Sequence, residues 1–158
     1  MPPAVKYLLL VNVICYALGL LLPQVTYVNG SEPWLNVICG LYYFGSPNFA
    51  PYQIFTYMFM HEQFTHILWN MFALYVFGRI FLNFFSVRHF IGTYLLGGLF
   101  GALFYVVAYN GFPLFSDSVD YSFLVGASAS VLAIITAAAV RCPDYRLNLL
   151  LFGSVRLS

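Results

Sequence analysis

Charge is scarce in this chain: Asp, Glu, Lys and Arg make up only 7% of its 158 residues, against about 25% in soluble domains. So apolar a surface cannot be kept in water by a soluble domain of this size. The six Lys and Arg residues are scattered and the formal net charge is +1. No polybasic face is formed, which excludes nucleic acid as a partner. Cysteine is equally sparse. Cys15, Cys39 and Cys142 show neither a disulfide framework nor metal-ligand spacing, so they read as small apolar packing residues and no metal is expected. There is no internal repeat and no polar stretch long enough for a separate soluble domain, so residues 1–158 read as one membrane domain.

What is abundant is apolar and aromatic, 62% and 20% of the chain respectively. A spanning helix needs about 20 such residues, because the hydrocarbon core is about 30 Å thick and each residue rises about 1.5 Å. Four stretches qualify, at about 7–22, 64–85, 90–109 and 123–140. Helix one follows Lys6 but precedes no small-residue cleavage site, so it reads as a retained anchor rather than a secretory signal. Between helices one and two, residues 23–53 carry Tyr27, Trp34, Tyr42, Tyr43 and Tyr52 among Gly and Pro. That composition suits a loop lying at the headgroup level, with a short interfacial helix near 34–44. The fold class expected is an all-α polytopic membrane protein.

Orientation follows from the basic residues, which short loops keep on the cytoplasmic side. Lys6, Arg79, Arg88, Arg141, Arg146 and Arg156 all fall on one side, while the long first connection and residues 110–122 hold Glu32, Asp117 and Asp120 but no Lys or Arg. The amino terminus is therefore expected in the cytoplasm. Small residues recur in helices three and four, at Gly97, Gly98, Gly101, Ala102 and at Gly126, Ala127, Ser130, Ala133, Ala137. Many share a helical face, where small side chains let backbones approach closely.

Polar groups inside spanning segments are costly and usually face a protein interior or an aqueous cavity. His66 and Asn70, four residues apart, lie on one face of helix two. Such a pair also serves simply to cross-link helices, and the residues alone leave both roles open. Ser128 sits in Gly126-Ala127-Ser128-Ala129-Ser130. A lone membrane serine commonly bonds a carbonyl one turn back; a nucleophile needs small neighbours and donors aimed at the oxyanion. Gly126, Ala127 and Ala129 meet the first need, and His66 with Asn70 the second. His66 is thirteen residues before Arg79 and Ser128 thirteen before Arg141, which puts both about 20 Å from the cytoplasmic side. His61 is five residues before His66, so it is expected to point about 140° away and to sit about one and a half turns further out.

These residues resemble those of the rhomboid intramembrane serine proteases. The run His61 to Asn70 is similar to that family's second-helix signature, and Gly126-Ala127-Ser128-Ala129 to its Gly-x-Ser-Gly motif. The resemblance implies a rhomboid-like helical bundle of six spanning helices, of which four are present. It also implies an intramembrane serine endopeptidase in which Ser128 attacks the peptide carbonyl and His66, Asn70 and the Ser128 N–H stabilise the oxyanion. The implied substrates are single-pass transmembrane proteins within the lipid bilayer, and no cofactor is involved. The implied location is the bacterial cytoplasmic membrane; nothing in the pattern sets an oligomeric state.

Three departures stand out. Ala129 replaces the second motif Gly, and Leu82 stands four residues after Gly78 where many members carry Glu. The general base of the family is a His on the sixth helix, whereas this chain ends at Ser158 with a tail, 145–158, that reads as the lead-in to another helix. His66 is at the right depth to serve as base, but only by depleting the oxyanion donors. The chain alone is thus expected to be inactive. A non-catalytic rhomboid-like protein that binds transmembrane clients is the alternative reading.

Overall fold

The computed structural model describes residues 1–27, 30–111, 122–141, 146–149 and 153–156. Among the described residues, three helices are long and apolar enough to cross a membrane: α1 (Pro3–Leu21), α4 (Phe64–Phe84) and α5 (Val87–Gly111). A fourth, α6 (Ser128–Arg141), is apolar but has only 14 residues, about 21 Å at the usual rise. It starts later than the expected 123, because 123–127 are not helical: Phe123–Leu124 form strand β4 and Gly126 has φ +123°. At that length α6 is shorter than a hydrocarbon core about 30 Å thick, and its first residue, Ser128, is exposed and lines a groove shared with α4.

Helix α6 packs against both α4 and α5, and α1 packs against α4. The buried residues of α1, namely Val5, Asn12 and Gly19, recur every seven residues, so only a narrow seam of this helix meets protein. Gly78 marks the crossing, since a Cβ there would stand 3.0 Å from Val5 Cγ2. Between α5 and α6 the small residues interlock. A Cβ on Gly97 would meet Ala133 Cβ at 2.6 Å, and one on Gly101 would meet Ala129 Cβ at 2.6 Å. The methyl group that Ala129 adds to the motif is therefore taken up by a glycine on the neighbouring helix.

Between α1 and α4 the chain builds a folded cap. Strands β1 (Gln24–Tyr27) and β2 (Gly30–Pro33) pair antiparallel; α2 (Trp34–Cys39), β3 (Leu41–Tyr42), α3 (Gln53–Thr56) and a 3-10 turn (Tyr57–Phe59) follow. The short interfacial helix expected near 34–44 thus occupies Trp34–Cys39. Gln53, buried, knits the cap: its Oε1 accepts from Ala50 N–H at 3.0 Å, and its Nε2 donates to the Ile38 and Asn48 carbonyls at 3.1 and 3.0 Å. Thr56 Oγ1 donates to the Cys39 carbonyl at 2.7 Å. Such bonds satisfy backbone groups that an apolar setting would otherwise leave unpaired. Cys15 and Cys39 are free thiols.

The tail differs from its expected form. Arg146–Leu149 (β5) pairs antiparallel with Gly153–Arg156 (β6), in keeping with the alternation of Arg146 and Asn148 with Leu147 and Leu149, a period of two rather than 3.6. Cys142, most of the tail's connecting residues and nearly all of the loop expected outside the cytoplasm at 110–122 lie outside the described residues.

Candidate active site

Helix α4 begins at Phe64, preceded by Gln63 in an extended conformation (φ −127°, ψ 151°). His66 therefore lies in its first turn and Asn70 one turn deeper. Helix α6 begins at Ser128, whose first-turn N–H groups have no intrahelical acceptor; Val131 N–H already returns to the Ala127 carbonyl at 2.9 Å. The sharp bend before it is made by Gly126, whose φ of +123° suits a residue without Cβ. A Cβ at that position would stand 2.7 Å from His66 Cε1 and Nε2 and 3.8 Å from Ser128 Oγ. The imidazole and the hydroxyl thus converge on one bare Cα.

Asn70 is buried and its Nδ2 donates to the His66 carbonyl at 3.1 Å. This bond uses one of the two amide protons and leaves the other for a ligand. His66, Asn70 and Ser128 line a groove of about 650 Å³ between α4 and α6, with Thr65, Trp69 and Ile135 among its apolar and polar walls. Ala127 is fully buried beneath it, and Ala129 turns toward Gly101 on α5. All six residues singled out in the sequence therefore belong to one neighbourhood. Among the described residues, no group of three His, Cys, Asp or Glu side chains is placed to hold a metal.

His61 is the residue that sequence reasoning misplaced. It precedes α4 instead of extending it, so its ring folds back to lie edge-on to His66, with centroids 5.0 Å apart and planes at 69°. It is 1% exposed, and neither ring nitrogen makes a hydrogen bond of acceptable geometry. Burial and the adjacent His66 push its pKa down to about 4, opposed by the Phe59 carbonyl; at neutral pH the ring carries no charge. Tyr57 was missed altogether. Its carbonyl accepts the Gly126 N–H at 3.0 Å, a contact across sixty-nine residues for which no local signal exists. His89 hydrogen-bonds Ser86 at the junction of α4 and α5, far from the groove.

Comparison with known families decides the classification. The Rhomboid domain model matches residues 48–157. The chain belongs to the rhomboid family. Neither a curated protein nor a solved structure matches it significantly. The rhomboid match takes in the 3-10 turn, all of α4, α5 and α6, and every residue of the groove. It is a family of intramembrane serine proteases, and the three spans with their shorter fourth helix make this member an integral membrane protein.

Proposed function

We propose that this rhomboid is an intramembrane serine endopeptidase in which Ser128 is the nucleophile and His66 and Asn70 are oxyanion donors. The observation that carries the reading is the convergence of the His66 ring and Ser128 Oγ on the Gly126 Cα, in a groove that Asn70 also lines. Ser128 Oγ bonds to the carbonyl carbon of the scissile peptide as its proton passes to a base. The carbonyl oxygen becomes an oxyanion that accepts from the His66 ring N–H, the second Asn70 N–H and the Ser128 backbone N–H. Expulsion of the amine leaves an acyl-serine, which water hydrolyses. The Ser128 proton goes to a base within hydrogen-bond reach of Oγ, a role His66 does not fill while it donates to the oxyanion.

The substrates on this reading are single-pass transmembrane proteins that enter the groove from the bilayer as locally unwound segments. No cofactor takes part. The amino terminus is cytoplasmic, so the cap and the groove mouth face outward and water reaches Ser128 from that side. The non-catalytic alternative draws on the Ala129 replacement, but Gly101 accommodates that methyl group. The test is cleavage of a fluorogenic transmembrane peptide by the full-length protein in liposomes. Ser128→Ala is expected to abolish it, and Asn70→Ala to slow it about 100-fold to 1,000-fold. Undiminished cleavage by Ser128→Ala would remove the nucleophile assignment.

A further inference from the structure

The bend at Gly126 is held from outside its own helix. Its upstream arm, β4, pairs with β3 of the cap, Leu41 opposite Leu124 and Tyr42 opposite Phe123. Its own N–H donates to the Tyr57 carbonyl, which also accepts from Met60 N–H at 3.1 Å. The position of Gly126 therefore depends on where the Tyr57–Met58 corner sits.

That corner is tied down by polar side chains buried among spanning helices. Tyr57 is 1% exposed, and its hydroxyl donates to the Gly98 carbonyl of α5 at 2.6 Å, in a slot kept open by Gly101, where a Cβ would stand 2.7 Å from that hydroxyl. The Met58 carbonyl, in the middle of the 3-10 turn, accepts the Tyr94 hydroxyl at 3.2 Å. The Tyr94 oxygen in turn accepts from Asn12 Nδ2 of α1 at 3.3 Å. Asn12, Tyr94 and Met58 are all fully buried. Polar groups in such places are expensive and are retained where a specific geometry depends on them.

We infer that Tyr57, Tyr94 and Asn12 are positioning residues for the nucleophile: together they fix the corner that receives the Gly126 N–H and thereby set Ser128 against His66. The inference rests on the proposed role of Ser128. None of the three lines the groove between α4 and α6, so they act on the reacting geometry and leave substrate binding alone. Displacements near 1 Å at a reacting centre cost up to about 100-fold in rate.

The experiment uses the full-length protein in liposomes, well below its unfolding midpoint, with rates normalised to folded protein. Tyr94→Phe and Tyr57→Phe keep the ring and remove the hydroxyl. Each is expected to lower kcat about tenfold or more with KM changed less than about twofold, and to slow fluorophosphonate labelling of Ser128 in parallel. Tyr75→Phe, on the outer face of α4, is the control and keeps wild-type kinetics. Asn12→Leu added to Tyr94→Phe should give no further loss, because both act through one bond. Wild-type kcat in both phenylalanine variants, whatever their melting point, would overturn the inference, as would a rise confined to KM. Tyr57→Phe, which leaves the Tyr94 and Asn12 bonds in place, keeps the test decisive if Tyr94→Phe lowers folded yield. Full activity of Ser128→Ala would instead sink the nucleophile assignment itself, so the two failures are separable.

Discussion

A histidine that is 1% exposed with both ring nitrogens unbonded stays folded only while neutral, and this makes His61 a pH liability. Its pKa is pushed down to about 4 by burial and by His66, below the value of about 6.5 for an unfolded chain. The unfolded state therefore takes up a proton first. The stability that the neutral ring confers is fully present above about pH 6.5 and falls as the pH drops toward 4, by about 3 kcal/mol in all. Unfolding midpoints measured in detergent from pH 7 to pH 4 should show this slope, and His61→Phe should flatten it. An unchanged slope in the variant would assign the titration to another group. At this scale the sequence singled out His66, Asn70 and Ser128 because rare polar residues in apolar helices stand out, and the three line one groove. It misread His61, since five-residue spacing implies a direction only if the helix includes both residues, and α4 begins at Phe64.

Among the elements, the α5 and α6 pair shows how closely backbone approach depends on glycine. A Cβ on Gly97 would lie 2.6 Å from Ala133 Cβ and 3.0 Å from the Ala129 carbonyl oxygen, and backbone cannot give way as a flexible side chain does. Gly97→Ala should force the helices apart and destabilise the protein by about 1–3 kcal/mol. Gly92→Ala, with nothing within 4 Å, is the matched control. Equal unfolding midpoints for the two variants would show that the helices are not in contact there. The long helices were legible in sequence to within a few residues because their length is imposed by the bilayer. The start of α6 was not, because Phe123 to Ala127 are as apolar as the helix they precede, and only the bend at Gly126 and pairing with the distant Leu41–Tyr42 strand separate them. The Tyr57 carbonyl contact was invisible for the same reason: backbone bonds between distant segments leave no trace in residue type.

For the whole molecule, composition alone specified a helical membrane protein, and the rhomboid match agrees. Its proposed orientation puts the cap outside the cytoplasm. With Cys15, Cys39 and Cys142 replaced by Ser, Glu62→Cys, at an exposed cap position, should react with an impermeant maleimide in intact cells. Reaction only after membrane disruption would reverse the topology. The central proposal is chemical: that short α6, bare Gly126 and the His66–Asn70 face of α4 together present one activated serine. The direct measurement is fluorophosphonate labelling of the full-length protein in liposomes, with the modified residue mapped by tandem mass spectrometry. A single adduct at Ser128, abolished by Ser128→Ala and slowed by Asn70→Ala, is the result predicted; labelling that survives Ser128→Ala, or a folded and intact protein that takes up no probe at Ser128, would contradict the account.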